Sequence, residues 1–231
     1  RLGLRLVTAL FFFTVIYLNL RFTTRYLHTE PETYEANNVV PLRKYVVDRF
    51  FDKKKLNILF ISVSVLIAIV FSSAAIGNWL MVQQFLNKTA FGIKDPIFDL
   101  DASFYIFTLP FLRMLYSVVF TGILLSLFAS GAAYFLFGPR DFLNWRDNSV
   151  SQPKVHLSFL LSLLFIMKAF DYWLDGYGLL NRQGNVVFGP GYTDVHVRLL
   201  AFKVLAVIAL AGAVAVLINI FLKRFRYVVY T

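Results

Sequence analysis

Five long apolar stretches, separated by shorter polar segments, run along the chain. An α-helix needs about 20 apolar residues to cross a hydrocarbon core of about 30 Å, and each stretch comes close to that length. Because lipid offers the backbone no hydrogen-bond partners, each stretch is predicted to be a helix. The predicted spans are residues 2–20, 56–81, 110–137, 155–174 and 197–222.

Small residues recur at four-residue spacing within three of these spans. Such residues let helix backbones approach each other closely in a membrane. A compact helix bundle is therefore predicted. The residues concerned are Gly122, Ser126 and Ser130 in the third span, Ser73 and Gly77 in the second, and the pairs Ala209 with Ala213 and Ala211 with Ala215 in the fifth.

The composition agrees with a membrane protein. Hydrophobic residues make up 58% of the chain and charged residues only 16%, whereas a soluble domain has about 25% charged residues. A soluble fold with 26 Phe would expose large apolar patches, which are rare on soluble monomers. The predicted fold class is all-α: one polytopic transmembrane bundle over residues 1–231, with about five spans and short interfacial helices.

The basic residues are distributed unevenly between the two sides of the predicted bundle. The net charge is +10, and most lysines and arginines lie in the first loop (21–55), in the third loop and in the tail after residue 222. The positive-inside rule places these segments in the cytoplasm and the start of the chain outside. We therefore expect a multi-pass protein of the bacterial plasma membrane. Nucleic acid is not predicted as a partner, because the basic residues flank apolar spans.

The chain begins with Arg1 rather than Met, and an apolar stretch follows at once. It is therefore expected to be a piece of a longer protein. If the complete protein begins in the cytoplasm, at least one further span upstream is expected.

The inner loop, residues 21–55, contains two predicted helical segments. Thr29–Glu32 has a proline and two acids suited to a first helical turn. Apolar and basic residues between Leu42 and Phe50 recur at helical spacing, and Lys53–Lys55 adjoin the second span. This pattern predicts an interfacial helix that binds anionic lipid headgroups. The alternative is that these basic residues only determine topology.

The first outer loop, residues 82–109, is rich in aromatic residues just before the third span. Phe98, Phe104, Tyr105 and Phe107 suit an aromatic belt at the level of the lipid headgroups. Pro110 is tolerated because it lies in the first turn of the span.

The same loop carries three aspartates, Asp95, Asp99 and Asp101. Asp101 or Ser103 is predicted to cap a short interfacial helix. The alternative is a divalent cation bound by the three carboxylates, since oxygen ligands suit calcium. Their spacing matches no EF-hand, so no metal site is assigned.

The second outer loop, residues 175–196, has two turn signals. Residues 181–185 indicate a hairpin turn, and Gly189–Gly191 indicate a tight backbone turn. Tyr192, Thr193 and Asp194 follow, and Thr193 or Asp194 is predicted to cap the fifth span.

Three parts of the sequence resemble the large bacterial membrane proteins grouped as uncharacterised protein family 0182. They are residues 1–5 with 17–21, residues 91–98 with 101–111, and residues 172–175 with 191–195. Pro190, Val197 and Leu200 depart from the family pattern. The resemblance covers nearly the whole chain. It implies a membrane domain of about seven spans followed by a large extracytoplasmic region, and it supplies no activity and no catalytic residues.

Ionisable residues within the spans form the main candidate site. Lys168, Asp171 and Asp175 are three and four residues apart in the fourth span, so they share one helical face. Arg113 and Lys203 lie at similar depth in the third and fifth spans. One interpretation is an ion-pair network that sets helix register. The other is a polar pathway or cavity for an ion, proton or anionic solute.

The sequence shows no signature of an enzyme. The chain has no cysteine and three widely separated histidines, and it lacks metalloprotease, nucleophile-elbow, Walker and dinucleotide motifs. No catalytic residue, cofactor or metal is predicted. The favoured function is a membrane anchor or scaffold for an extracytoplasmic region, with other membrane subunits as candidate partners. The alternative is a transporter or channel, which the continuous, proline-free middles of the spans disfavour.

Overall fold

The computed structural model describes residues 1–26, 53–137, 152–181 and 189–221. Within these ranges the chain forms helices and connecting turns and no strand, and five helical segments are long and apolar enough to cross a membrane. The predicted all-α fold class is confirmed. The helices are α1 (Leu2–Tyr26), α2 (Lys53–Ala74), α3 (Trp79–Leu86), α4 (Leu109–Phe137), α5 (Gln152–Gly178) and α6 (Leu199–Phe221).

Several sequence predictions fall outside the described residues. They are the helical segments predicted between residues 29 and 50, most of the hairpin turn at 181–185, Arg140 and Arg146 of the third loop, and the basic residues of the tail. Lys154, which was predicted to lie in the third loop, is described and lies buried in the first turn of α5.

The second predicted span differs from the helix that forms there. Helix α2 ends at Ala74, residues Ala75–Asn78 form a 3₁₀ turn, and α3 follows. Gly77 and Asn78 are poor helix formers, which gives a physical reason for the break at this point. The short helix α3 reaches the start of α4, where the rings of Phe85 and Phe111 stack with centroids 4.0 Å apart.

The helices pack side by side in an open row. Helix α2 packs on α1, α1 on α4, α4 on α5, and α5 on α6. Phe12, Ile16 and Leu20 of α1 form the core between α2 and α4. A second core between α4 and α5 contains Ile123 and Leu160. The end of the row at which residues 87–103 lie is called the loop end below.

The small residues of α4 are buried where this helix packs against others, as predicted. Ser126 and Ser130 are fully buried, and the ring of Phe11 in α1 lies against Gly122, where an added Cβ would be 3.0 Å from it. Between α5 and α6, Ser162 Oγ donates a hydrogen bond of 3.2 Å to the carbonyl of Ala213. These contacts leave little room for larger side chains.

Both α4 and α6 begin with a wide turn. In residues Phe104–Thr108 and Asp194–Arg198 each hydrogen bond spans five residues, so that the amide of Leu109 donates to Phe104 and that of Leu199 to Asp194. Such π-helical turns are rare and occur mostly as single insertions. They set the direction in which the two helices leave the loop end.

Candidate functional site

An ion pair joins α4 and α5 near the loop end. Arg113 Nη2 donates a hydrogen bond of 3.1 Å to Asp175 Oδ1, and it lies 3.5 Å from the carbonyl oxygen of Leu174. The guanidinium lies directly against Gly178, so a Cβ at that position would collide with it. The last turn of α5 therefore provides both the anion and the space that Arg113 requires.

A second ion pair lies one to two turns before Asp175 in α5. Lys168 Nζ donates a hydrogen bond of 2.5 Å to Asp171 Oδ2. The Tyr116 hydroxyl of α4 lies close to the same carboxylate. The ammonium also lies 5.1 Å from the centre of the Tyr172 ring, within the range of a cation–π interaction. Asp171 thus has neighbours from two helices.

The structure brings four of the five predicted charged residues together as two neighbouring pairs. Their side chains remain partly exposed: 47% for Arg113, 35% for Asp175, 41% for Lys168 and 24% for Asp171. The fifth residue, Lys203, is exposed and makes no ion pair within the part of the chain that the structure describes. Two acids and two bases make the cluster electrically neutral.

A buried hydrogen-bond network joins α1, α4 and α5 near the opposite end of the row. His156 Nε2 lies 3.0 Å from Asn19 Oδ1, and His156 Nδ1 lies 3.1 Å from the Tyr134 hydroxyl. His156 and Tyr134 are 8% and 1% exposed. The hydroxyl of the fully buried Thr23 donates a hydrogen bond of 2.9 Å to the backbone carbonyl of Asn19.

The hydrogen bonds of this network assign the imidazole protons. Asn19 Nδ2 donates to the Val15 carbonyl at 2.7 Å, which leaves Asn19 Oδ1 to accept from His156. His156 Nε2 is then the donor, and Nδ1 accepts from the Tyr134 hydroxyl. A neutral imidazole satisfies all these groups, as burial requires.

Sequence reasoning missed this network. His156 was considered only as an isolated histidine, and its partners Asn19 and Tyr134 lie in other spans. No spacing along the sequence links three residues from three helices. The only signal is that each is a polar residue near the end of an apolar span.

An apolar layer separates the two polar clusters along the α4–α5 interface. Ile123, Leu160 and Leu164 form its buried centre. Larger apolar side chains surround that centre, including Phe120 and Met167. The buried Ser126 of α4 and Ser162 of α5 lie on the same turns, and Ser162 donates its hydrogen bond to the carbonyl of Ala213 in α6.

Asp95 organises the first outer loop from within. Its carboxylate accepts hydrogen bonds from the backbone amides of Ile97, Phe98 and Leu100, and from the Tyr105 hydroxyl at 2.7 Å. Burial alone would raise the pKa of Asp95, but the hydrogen bonds from Tyr105 and the backbone outweigh it and lower the pKa. The carboxylate remains ionised and holds the turn.

Asp101 closes the same loop. Its carboxylate accepts from the amides of Phe91, Gly92 and Ser103 at 3.1, 2.8 and 2.8 Å. Hydrogen bonds from the Ser103 hydroxyl and from these amides lower the pKa of Asp101 to about 2. The predicted capping role of Asp101 takes this form, whereas the Ser103 side chain makes no capping hydrogen bond to the wide turn.

The third aspartate, Asp99, points elsewhere. It has a positive φ of 55° and forms an exposed ion pair of 3.0 Å with Lys94. In the described ranges no group of three acidic, histidine or cysteine side chains could hold a metal ion. The divalent-cation alternative finds no support, because the carboxylates of Asp95 and Asp101 are occupied by backbone amides.

Aromatic packing fixes this loop to α5. The Tyr177 ring contacts Phe98 and Phe104, with centroids 4.8 and 5.3 Å apart, and it also contacts Trp173 at 4.9 Å. The predicted aromatic residues therefore pack partly against one another.

The second outer loop has a smaller ordered turn. Asp194 accepts from the Gly191 amide at 3.1 Å and pairs with Arg198 at 2.8 Å. Tyr192 stacks on His196, with centroids 4.1 Å apart, and is 78% exposed. Thr193 makes no capping hydrogen bond. Asp194 is thus the residue that orders the start of α6.

Comparison with known proteins identifies relatives over the full length of the chain. A model described as "Uncharacterised protein family (UPF0182)" matches residues 1–231. UPF0182 proteins of Moorella thermoacetica and Pelotomaculum thermopropionicum are 38% and 40% identical over 98% and 100% of this chain. A UPF0182 protein of Desulforamulus reducens is 30% identical over 99%.

This chain spans about a quarter of the length of those relatives, from 25% to 26%. No solved structure matches the chain.

Proposed function

We propose that this chain, which belongs to the uncharacterised protein family UPF0182, is a membrane anchor or scaffold that positions an extracytoplasmic region or a partner protein. The arrangement of the polar groups supports the proposal. Apart from Lys203, each ionised group at the candidate site is neutralised by a neighbour. An apolar layer lies between this site and the buried histidine network.

That arrangement suits a scaffold better than a transport path. A path for ions or polar solutes needs hydrogen-bonding groups along its whole length, and many transporters break their helices near the bilayer centre to supply them. Helices α4 and α5 are continuous across the apolar layer. Two polar clusters without net charge, which both join α4 to α5, instead set register and hold the helices together.

The first outer loop supports an anchoring role. Asp95 and Asp101 tie its backbone into a fixed shape, and Tyr177 fixes it to α5. On its surface Ile93 is 69% exposed. A rigid loop with exposed apolar residues suits permanent contact with another protein region, because little conformational entropy is lost when it binds.

The proposed topology follows from the distribution of basic residues. We place the loop end outside the plasma membrane and the chain end in the cytoplasm. The basic segments, including Lys53–Lys55, are proposed to bind anionic lipid headgroups. No enzymatic activity is proposed.

Photocrosslinking tests the scaffold. A photoreactive amino acid replaces Ile93 in the complete protein, and the matched control replaces Val207 of α6, which is 65% exposed. We expect a protein adduct from position 93, either within the polypeptide or to a partner, and adducts mainly with lipid from position 207. Equal labelling patterns at the two positions would contradict the proposal.

Transport is the second candidate function, because the charged cluster is partly exposed. Under this alternative, Asp171 and Asp175 bind or relay a cation and Lys168 tunes them. Ion and proton flux into vesicles is measured for the complete protein and for Asp171→Asn. The scaffold predicts no flux above that of empty vesicles in either case. Flux that Asp171→Asn abolishes, with folding intact, would replace the scaffold by a transporter.

A further inference from the structure

The paired charges lie on one side of α4 and α5. On α5, Leu161, Lys168 and Asp175 are seven residues apart, so they point in the same direction. On α4, Arg113 and the exposed Ser117 are four residues apart and share a side. These five residues, together with Asp171, which pairs with Lys168, are called the charged face.

The depth of the charged face makes contact with lipid unfavourable. Lys168 is ten residues from the end of α5 at Gly178, about 15 Å along the helix, and it lies inside a helix long and apolar enough to cross a membrane. Charged side chains at such depth almost always face other protein or water rather than lipid. Yet 41% of the Lys168 side chain is uncovered in the single chain.

The charge pattern indicates what covers the face. Its two acids and two bases are balanced, so a partner with a net charge would leave one charge unpaired. An apolar helix would leave most of the Lys168 ammonium donors and the Asp171 acceptor sites without partners. A second copy brings an equal number of donors and acceptors at the same depth.

Membrane symmetry permits this pairing. Two copies with the same topology are related by a two-fold axis along the membrane normal, so that equivalent residues meet at equal depth. Lys168 and Asp171 differ in depth by about 4.5 Å, which a lysine side chain can span. Each lysine can therefore lie between its own Asp171 and that of the second copy.

We propose that the charged face binds a second copy of this chain, with Lys168 of each copy shared between the two Asp171 carboxylates. The interaction goes beyond the scaffold function and does not depend on it.

Disulfide crosslinking in vesicles tests the location of the interface. The complete protein carries Ser117→Cys as its only cysteine, and the matched control carries Leu115→Cys. Leu115 is also exposed, at 45%, and lies two residues away on the opposite side of α4. We expect oxidation to give a dimer from position 117 at least tenfold faster than from position 115. Equal rates, or faster crosslinking at 115, would overturn the proposal.

Charge variants test the recognition itself. In the Ser117→Cys background, Lys168→Glu and Asp171→Lys each create repulsion between like copies, and each is expected to lose at least 90% of the crosslinked dimer. A mixture of the two variants is expected to recover mixed dimers, because opposite charges then meet. The double variant, Lys168→Glu with Asp171→Lys, restores pairing within each copy and is expected to crosslink as the parent does.

Two results would show that something else covers the face. Failure of the mixture to recover dimers, while the double variant folds, would exclude pairing between copies. Rapid reaction of Ser117→Cys with a membrane-impermeant thiol reagent would indicate a water-filled cleft. The latter result would also favour transport, whereas a crosslink from Ile93 to another protein region would leave the scaffold intact.

Discussion

The two polar clusters of this protein differ in how they accommodate polar groups between apolar helices. The cluster at the loop end consists of ionised groups, Arg113 with Asp175 and Lys168 with Asp171, and each side chain is at least 24% exposed. The cluster at the other end consists of neutral groups around His156, of which His156, Tyr134 and Thr23 are buried. Neutral groups can be buried once their hydrogen bonds are satisfied, but buried charges pay a large desolvation cost.

This difference predicts that the histidine network contributes more to stability than the ion pairs.

The largest effect is expected from His156→Ala. The substitution leaves a cavity and removes the partner of both Asn19 Oδ1 and the Tyr134 hydroxyl, and we expect a loss of about 3 kcal/mol in the free energy of unfolding. Tyr134→Phe keeps the ring and removes only the hydroxyl that bonds to His156 Nδ1, which should cost about 1 kcal/mol. Thermal unfolding of the complete protein in detergent, followed by circular dichroism, measures both. The comparison fails if Asp175→Ala lowers the melting temperature more than His156→Ala does.

A smaller effect is expected for the ion pair between α4 and α5. A double-mutant cycle of Arg113→Ala and Asp175→Ala should give a coupling energy of about 1 kcal/mol, because hydrogen bonds between membrane helices are modest and this pair is partly exposed. Unfolding of the four proteins under identical conditions provides the cycle. A coupling energy of about 3 kcal/mol or more would mean that the ion pair contributes as much to the free energy of unfolding as the histidine network does.

Gly178→Ala tests the contact between Arg113 and the last turn of α5. The added Cβ would displace the Arg113 guanidinium, so in the parent protein we expect a destabilisation of about 0.5 kcal/mol. In the Arg113→Ala background the collision disappears, and alanine should stabilise the last turn of α5 by up to about 0.5 kcal/mol. The reversal of sign is the diagnostic result. The same sign in both backgrounds would mean that Arg113 does not lie against Gly178.

The smallest effect is a local one, at Asp101 in the first outer loop. The folded loop lowers the pKa of Asp101 from 3.8 to about 2. Its contribution is therefore fully present above about pH 4, and it is lost as the pH falls through 2. We expect the amides of Phe91, Gly92 and Ser103 to lose hydrogen-exchange protection over that range, after correction for the intrinsic rates.

Asp101→Asn is the matched control for this prediction. It removes the titrating group, so protection of these three amides should be low and independent of pH. A pH-dependent loss that persists in Asp101→Asn would assign the effect to another carboxyl group.

The sequence identified the ionised cluster because most of it lies on one helix. Lys168, Asp171 and Asp175 are three and four residues apart, so helical geometry alone places them together. Which acid pairs with which base does not follow from spacing. Only the packing of α4 on α5 brings Arg113 to Asp175 and leaves Lys203 without an ion pair among the described residues.

In the outer loops too, sequence spacing does not predict which groups are bonded to each other. Turn chemistry left two candidate capping residues at each of two span starts, Asp101 or Ser103 and Thr193 or Asp194. In the structure the carboxylates of Asp101 and Asp194 accept the backbone hydrogen bonds. The three aspartates of the first loop were also compatible with a cation site. Their actual roles depend on backbone amides such as those of Phe91 and Phe98, whose positions exist only in the folded loop.

The sequence by itself determined the all-helical architecture with five helices long and apolar enough to cross a membrane, because apolar length and backbone hydrogen bonding are properties of each segment alone. It also determined the family, through residues such as 91–98 and 101–111. Only the tertiary structure decided the open row of helices, the break before α3, the choice of ion-pair partners and the network around His156. Those features depend on contacts between segments far apart in the chain, and sequence spacing does not encode such contacts.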